Sequence, residues 1–344
     1  MKVARRLFEK MTSLVALFDS WHQFTRGKRK RQDVQGFERH LEDHLFNLQH
    51  ELVTLTYRHG PYDHFYVADP KQRYISRASV RDRLVHQVVY GTLSKIFDRT
   101  FFFHSLSCRV NKGAHLGVSA LKRMARKVSS KGSCFALKMD IQCFFDSVDH
   151  QILKQLLRKT IKDDHALQLT DRIIDSFRSG YEATGLPLGN VTSQLFANLY
   201  LNELDLFVKH TLREPHYLRY CDDFILVSHC EAHLRSLIDP IKQFLKSTLH
   251  LELHPKKTSL RPLHQGVDFV GYVLFPHHTL VRHRTKQRMK RCLKQAFLLY
   301  EEGEVDPLYV DQRLQSTLGI LSHAQEHTLS TALQNIYGVR PVKF

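Results

Sequence analysis

Two apolar runs, His216 to Tyr220 and Phe224 to Val227, are separated only by Cys221, Asp222 and Asp223. A gap that short between strand-like runs admits little but a tight hairpin, which places two adjacent carboxylates at its tip. Asp accepts turn geometry readily, so the pair alone specifies no more than a turn. Upstream, Cys134 to Met139 reads as a buried strand that ends on a third carboxylate, Asp140. Asp146 and Ser147 precede an apolar series at helical spacing (Val148, Ile152, Leu156) and are expected to cap that helix. Asp149 is expected in its first turn, where negative charge suits the helix dipole. Thr184 to Gln194 is a loop punctuated by Gly and Pro that opens onto an amphipathic run through Leu195, Leu199, Leu204 and Val208, with Thr192 or Ser193 as its expected cap.

Converging carboxylates hold divalent cations. Magnesium takes oxygen ligands and keeps some of its waters, so one or two protein carboxylates per ion suffice where substrate phosphates complete the shell. Transfer of a nucleotide to a sugar hydroxyl calls for two such ions about 3.5–4 Å apart. Asp140, Asp222 and Asp223 supply the necessary number of carboxylates.

In this order, the three segments resemble the palm motifs of reverse transcriptases, and the similarity continues on both sides. Arg73 to Ser76 with Val80 to Val85 resembles the family's first finger motif, and Ser107 to His115 the second. Leu253 to Thr258 is similar to the segment after the catalytic hairpin, and Gly266 to Tyr272 to the primer-grip turn. Strong resemblance covers 57–284. Within the family, Leu188 to Asn198 is similar to the enzymes of diversity-generating retroelements. Group II intron and retroviral enzymes usually carry Gln where this chain has Leu188, and intron enzymes have Pro where it has Gln194. Gly319 to Gln325 and Gln334 to Gly338 also resemble that group's C-terminal ending.

The resemblance implies an α+β right-hand polymerase with fingers, a β-α-β-β-α-β palm and a helical thumb. The expected divisions are a helical extension over 1–56, fingers over 57–134, palm over 135–275 and thumb over 276–344. Asp140 and Asp222 would ligate both ions (Mg2+, or Mn2+), with Asp223 completing the cluster and the Ile141 carbonyl helping to hold the nucleotide-side ion. Phe145 occupies the steric-gate position, and Phe144 competes for it because alternation along an extended segment points the two rings to opposite faces. Arg73 and Arg109 match positions that embrace the incoming deoxynucleoside triphosphate, with Arg77, Arg81 and Arg83 as alternatives. Leu188 and Gly189 would border the nascent pair. Lys257, with Lys256 an equal candidate, would meet the leaving pyrophosphate. Tyr220, Gln194, Phe269, Gly271 and Tyr272 are expected against primer and template, as are Lys28, Arg29, Arg282 and Arg284. An aliphatic Leu188 would loosen fidelity opposite template adenines.

Composition agrees with a polyanion-binding polymerase core. Lys and Arg number 51 against 34 Asp and Glu in 344 residues, giving a pI of about 9.6, the electrostatic footprint of a nucleic-acid binder. At that length no appended RNase H or endonuclease module is expected. Six cysteines show no CxxC pair and read as reduced, cytoplasmic thiols, and no apolar run approaches membrane-spanning length. The implied partners are a structured template RNA, the cDNA/RNA duplex, dNTPs and a small basic accessory protein. A retron-like or defence-associated enzyme and a non-catalytic RNA-binding module remain alternatives.

Leu7, Met11, Leu14, Phe18 and Trp21 predict an amphipathic N-terminal helix, followed by the basic cluster Arg26 to Arg31. A second helix is expected from Val34 to Leu55 and a third from Ser79 through Phe97. Glu301 to Pro307 reads as a linker between two late helices.

Overall fold

The computed structural model describes residues 4–68, 72–130, 132–180 and 182–338. The expected N-terminal helix is broken into α1 (Phe8–Thr12) and α2 (Leu14–Thr25), because Ser13 leaves the helix with extended backbone and its hydroxyl accepts from the Ala16 amide to start α2. The helix expected over Val34 to Leu55 is likewise two, α3 (Gln32–Glu38) and α4 (Leu41–Val53), interrupted at His40. An antiparallel ribbon, β1 (Asp63–Ala68) with β2 (Gln72–Arg77), leads to α5 (Val80–Phe97), which Ser79 caps by accepting from the Asp82 amide.

After α6 (Ala114–Ser129) the central sheet begins with β3 (Phe135–Asp140). A short turn of helix α7 (Phe144–Ser147), then α8 (His150–Thr160), α9 (Asp164–Asp175) and α10 (Val191–Leu206) follow, and α10 runs on into a π turn, Phe207–Thr211. The hairpin β4 (Tyr217–Tyr220) and β5 (Asp223–Ser228), helices α11 (Glu231–Ser236) and α12 (Ile238–Leu249), and β6 (Ser259–Pro262) complete this region. The antiparallel strands run β4-β5-β3-β6. A small sheet of β7 (Val267–Phe269), β8 (Tyr272–Leu274) and β9 (Thr279–Val281) precedes α13 (His283–Glu301), α14 (Pro307–Leu321) and α15 (His327–Tyr337). Asp306 caps α14 through the Tyr309 amide, with Pro307 at the first helical position, so the acidic linker ends where a helix start is cheapest.

Period-two alternation explains why the central strands read as nearly continuous apolar runs. Leu137, Met139, Phe224 and Leu226 pack into the core shared with α5, α8 and α10. Ala136, Leu218, Ile225 and Val227 point to the opposite core, formed with α6, the small sheet and the last three helices. The outer edge of β4 is covered: the Arg219 amide donates to His104 O and the Leu106 amide to Arg219 O, both at 3.0 Å.

Two expected helix caps are corrected. Asp149, not Asp146 or Ser147, caps α8 by accepting from the Gln151 and Ile152 amides at 2.7 and 3.1 Å. Asn190 begins α10 with no side-chain cap bond. Thr192 instead shares a 2.9 Å hydrogen bond with His86, and Ser193 donates to Pro187 O at 2.7 Å, because both hydroxyls are buried where tertiary partners reach them first.

Candidate active site

Tyr220 pairs directly with Asp223, which makes Cys221 and Asp222 a two-residue turn. Cys221 has φ +57°, a left-handed conformation that side chains other than Gly rarely adopt. Arg219 supports it from below. Its side chain is wholly enclosed, and one Nη donates to the Cys221 carbonyl at 3.0 Å. Nε and the other Nη fork onto the equally buried Asp205 at 2.8 and 2.6 Å, and that second Nη also donates to Ser105 Oγ at 2.8 Å. Burial disfavours the Arg219 charge, but Asp205 outweighs it and raises the pKa. Tyr217 donates to the same carboxylate at 2.7 Å. Neither Arg219 nor Asp205 was expected as a site residue; the available signal was Arg219 inside an apolar strand and Asp205 in the last turn of a largely apolar helix.

Asp140 is the register partner of Asp223 across β3 and β5, so all three carboxylates lie at one end of the sheet. Burial, then repulsion from Asp140, raises the Asp222 pKa. The Asp223 value is raised chiefly by burial, against the pull of Lys138, with repulsion from Asp140 adding to the rise. Each outer carboxylate also faces a lysine: Lys257 Nζ donates to Asp140 at 2.7 Å, and Lys138 Nζ lies 3.5 Å from Asp223. Burial opposes the Lys257 charge, yet the hydrogen bond to Asp140 and the neighbouring carboxylates raise its pKa.

Among the described residues no three His, Cys, Asp or Glu side chains converge as one metal-ligand group. The expected cluster is therefore adjacent and electrostatically coupled without being drawn onto a single point. Its donors are nonetheless all hard oxygens in a site that accumulates negative charge, which suits magnesium.

A cleft of about 920 Å³ opens in front of Asp222, Asp223 and Lys257, whereas Asp140 is buried and not on its wall. Ile141, Asp222, Asp223 and Lys257 line it, as do Arg73, Phe145, Leu188, Gly189 and Gln194. Tyr220, Gly271, Arg282 and Arg284 complete the expected residues on its wall. Lys257 rather than Lys256 is there, and Arg282 is ion-paired with Asp268. Phe144 and Phe145 occupy a turn of helix, not an extended segment; Phe144 is buried while Phe145 is half-exposed beside it.

The wall carrying Leu188 is sewn to β2. The Ser76 amide donates to Leu188 O at 3.1 Å, and Asn190 Nδ2 donates to Ser76 O at 3.2 Å. Gly189 between them has φ +112°, and a Cβ there would stand 3.1 Å from the Ile75 side chain, so only glycine fits without strain.

Several expected residues lie elsewhere. Arg109 does not reach the cleft: its guanidinium donates to Asp98, Phe102 O and Ser105 O at 2.6–2.9 Å, because these acceptors fold over it as the chain leaves α5. Arg77 and Arg83 pair with Asp33, and Arg81 with Glu51, leaving Arg73 as the finger arginine turned to the cleft. Phe269 and Tyr272 are core residues. Phe269 packs edge-on to Tyr220, and the Tyr272 hydroxyl donates to Ile320 O at 3.0 Å, so alternation along β7 and β8 turns them inward. Lys28 lies over the Phe24 ring and Arg29 faces Glu38, outside the cleft wall.

His86 anchors α5 to the start of α10 through Thr192 and is 3.0 Å from the His59 ring nitrogen. Burial, then His59, lowers its pKa to about 3. An unfolded His titrates near 6.5, so between those values the unfolded chain takes up the proton that the fold refuses. This contribution is complete above about pH 6.5 and is lost as pH falls toward 3. Urea midpoints should therefore fall between pH 7.5 and pH 5, with a shallower fall in His86→Gln; equal slopes in both proteins would remove His86 as the cause.

The sequence profile of the reverse transcriptase (RNA-dependent DNA polymerase) family matches residues 68–274, more than half of the chain. This chain belongs to the reverse transcriptase family. It is similar to Protein YkfC of Escherichia coli K12, with 24% identity over 280 residues, covering 70% of this chain and 71% of YkfC. It is also similar to the group II intron-encoded protein LtrA of Lactococcus lactis, with 23% identity over 325 residues. That match covers 73% of this reverse transcriptase and 53% of LtrA, so the chain spans about half the length of that relative. A 91 kDa protein in the cob intron of Schizosaccharomyces pombe is 30% identical over 151 residues, 42% of this chain and 18% of that protein. Among the described residues of the reverse transcriptase no helix is long and apolar enough to cross a membrane.

Proposed function

We propose that this reverse transcriptase copies an RNA template into cDNA with Asp140, Asp222 and Asp223 as the holders of two magnesium ions, and with relaxed fidelity opposite template adenines. The observation that carries the first part is the pairing of Asp140 with Asp223 beside the Asp222 turn. When bound, the ions would acidify the primer 3′-hydroxyl and neutralise the leaving pyrophosphate. Arg73 offers a guanidinium fork to the triphosphate. The Phe145 ring excludes a 2′-hydroxyl, and Lys257, held cationic beside Asp140, faces the departing phosphates. In this reading 57–134 acts as fingers, 135–275 as palm and 276–344 as thumb, with Arg282 and Arg284 tracking the duplex backbone.

Leu188 supports the second part. Its side chain lies on the cleft wall, where an aliphatic group cannot hydrogen-bond to the nascent pair, so discrimination rests on pair shape. This is the chemistry expected of a diversity-generating retroelement, which extends the proposal to a structured template RNA and a small basic accessory protein. The likeness to LtrA favours an intron-type enzyme as the second reading. Leu188→Gln tests the part this residue plays. A regained hydrogen bond of about 0.5–1.5 kcal/mol should lower misincorporation opposite adenine about 2–10-fold in sequenced cDNA. Unchanged adenine errors would remove Leu188 from the explanation.

A further inference from the structure

Outside the cleft, along the outer edge of β4, aromatic rings and cations alternate. His104 sits edge-on between Phe102, with ring centroids 5.5 Å apart, and Phe103, at 5.0 Å. Lys209 Nζ lies 5.5 Å from the Phe102 centroid and Lys112 Nζ 3.4 Å from that of Phe103. Arg123, exposed on α6, is the third cation. After burial, the charges of Lys112, Arg123 and Lys209 lower the His104 pKa. None of these six residues lines the cleft.

The array is held in place by backbone. His104 O accepts from the Arg219 amide at 3.0 Å, and the Phe102 amide donates to Asn202 Oδ1 at 3.2 Å. Of the nearby acids, Asp98 is paired with Arg109 at 2.6 Å, while Glu214 accepts from His233 at 2.7 Å and its charge acts on Lys209, whose Nζ donates to the Glu214 and Pro215 carbonyls at 2.7 and 3.3 Å. A positive surplus from Lys112 and Arg123 therefore remains beside Phe103, a residue 60% exposed although a lysine covers one ring face. Fixed cations beside an exposed ring match the alternation of phosphate and base along a nucleic-acid strand.

We infer that this patch is a second RNA contact, in which Lys112 and Arg123 hold backbone phosphates and Phe103 stacks on an unpaired base. The inference rests on the proposed RNA-templated function and gives it a surface separate from the catalytic groups. It also accounts for exposed aromatic and basic residues that the cleft does not use.

The test compares Lys112→Glu/Arg123→Glu and Phe103→Ala with the parent, by binding of a labelled RNA hairpin carrying a single-stranded flank across a salt titration. The charge-reversed protein should lose about tenfold or more in affinity, with a log–log salt slope shallower by about two. Phe103→Ala should lose about tenfold on the flanked RNA and nothing on fully paired RNA. Extension of a short primer–template should be unchanged in both. The neutral pair Lys112→Gln/Arg123→Gln must move affinity the same way with an unshifted melting temperature, which guards against misfolding. Parent-like affinity and slope in variants that melt like the parent would overturn the inference. Asp222→Asn should bind this RNA as the parent does; if that variant extended primers, only the catalytic reading would fail.

Discussion

Asp222→Asn is expected to slow RNA-templated primer extension by about 10³-fold or more without lowering the melting temperature. The ions it would help to hold supply several kcal/mol of charge stabilisation in phosphoryl transfer, and each 1.36 kcal/mol is tenfold in rate. Stability should not suffer, because burial and repulsion from Asp140 already disfavour the Asp222 charge. An amide of nearly the same shape relieves that repulsion and leaves the turn intact. The paired readouts are single-turnover extension and thermal denaturation. Parent-like extension would show that the carboxylate at the hairpin tip is not part of the chemistry, whereas joint loss of activity and fold would show only a broken turn.

Arg219→Met should be among the most destabilising single changes in the chain. Arg219 and Asp205 are both fully enclosed, and without the guanidinium Asp205 keeps the Tyr217 hydroxyl but no countercharge. Breaking such a pair costs about 3–5 kcal/mol, which urea denaturation would read directly. Arg219→Lys restores the charge but not the fork, so it should recover part of the stability. The double variant Arg219→Met/Asp205→Leu removes both charges and should recover most of it. Extension should stay low in that double variant, since nothing then holds the Cys221 carbonyl beneath Asp222. If the double variant regained activity along with stability, the network would matter to folding alone.

The placement of the three carboxylates at one end of the sheet was legible in the sequence because a strand of period two ending in Asp, and a three-residue gap between apolar runs, leave little freedom in where those side chains emerge. The Arg219–Asp205 pair was not. A charge within an apolar strand gives no sign of whether it faces solvent or a buried partner on a helix, and only the packing of α10 against β4 decides it. The same limit explains Arg109, Phe269 and Tyr272. Nearness to a motif places a residue close to the cleft, while the face it presents depends on which acceptors or cores lie behind it. Thr192 and Ser193 have the side chains of helix caps, yet buried neighbours take their hydroxyls. The breaks at Ser13 and His40 were hidden because apolar spacing continues across them.

The most direct measurement counts Mn2+ bound to the protein with an RNA-primed duplex and a non-reactive deoxynucleotide analogue, by electron paramagnetic resonance, in the parent and in Asp140→Asn. Two ions per chain in the parent and a loss of at least one in the variant are expected if residues 140, 222 and 223 hold the pair. Two ions in both proteins would contradict that placement.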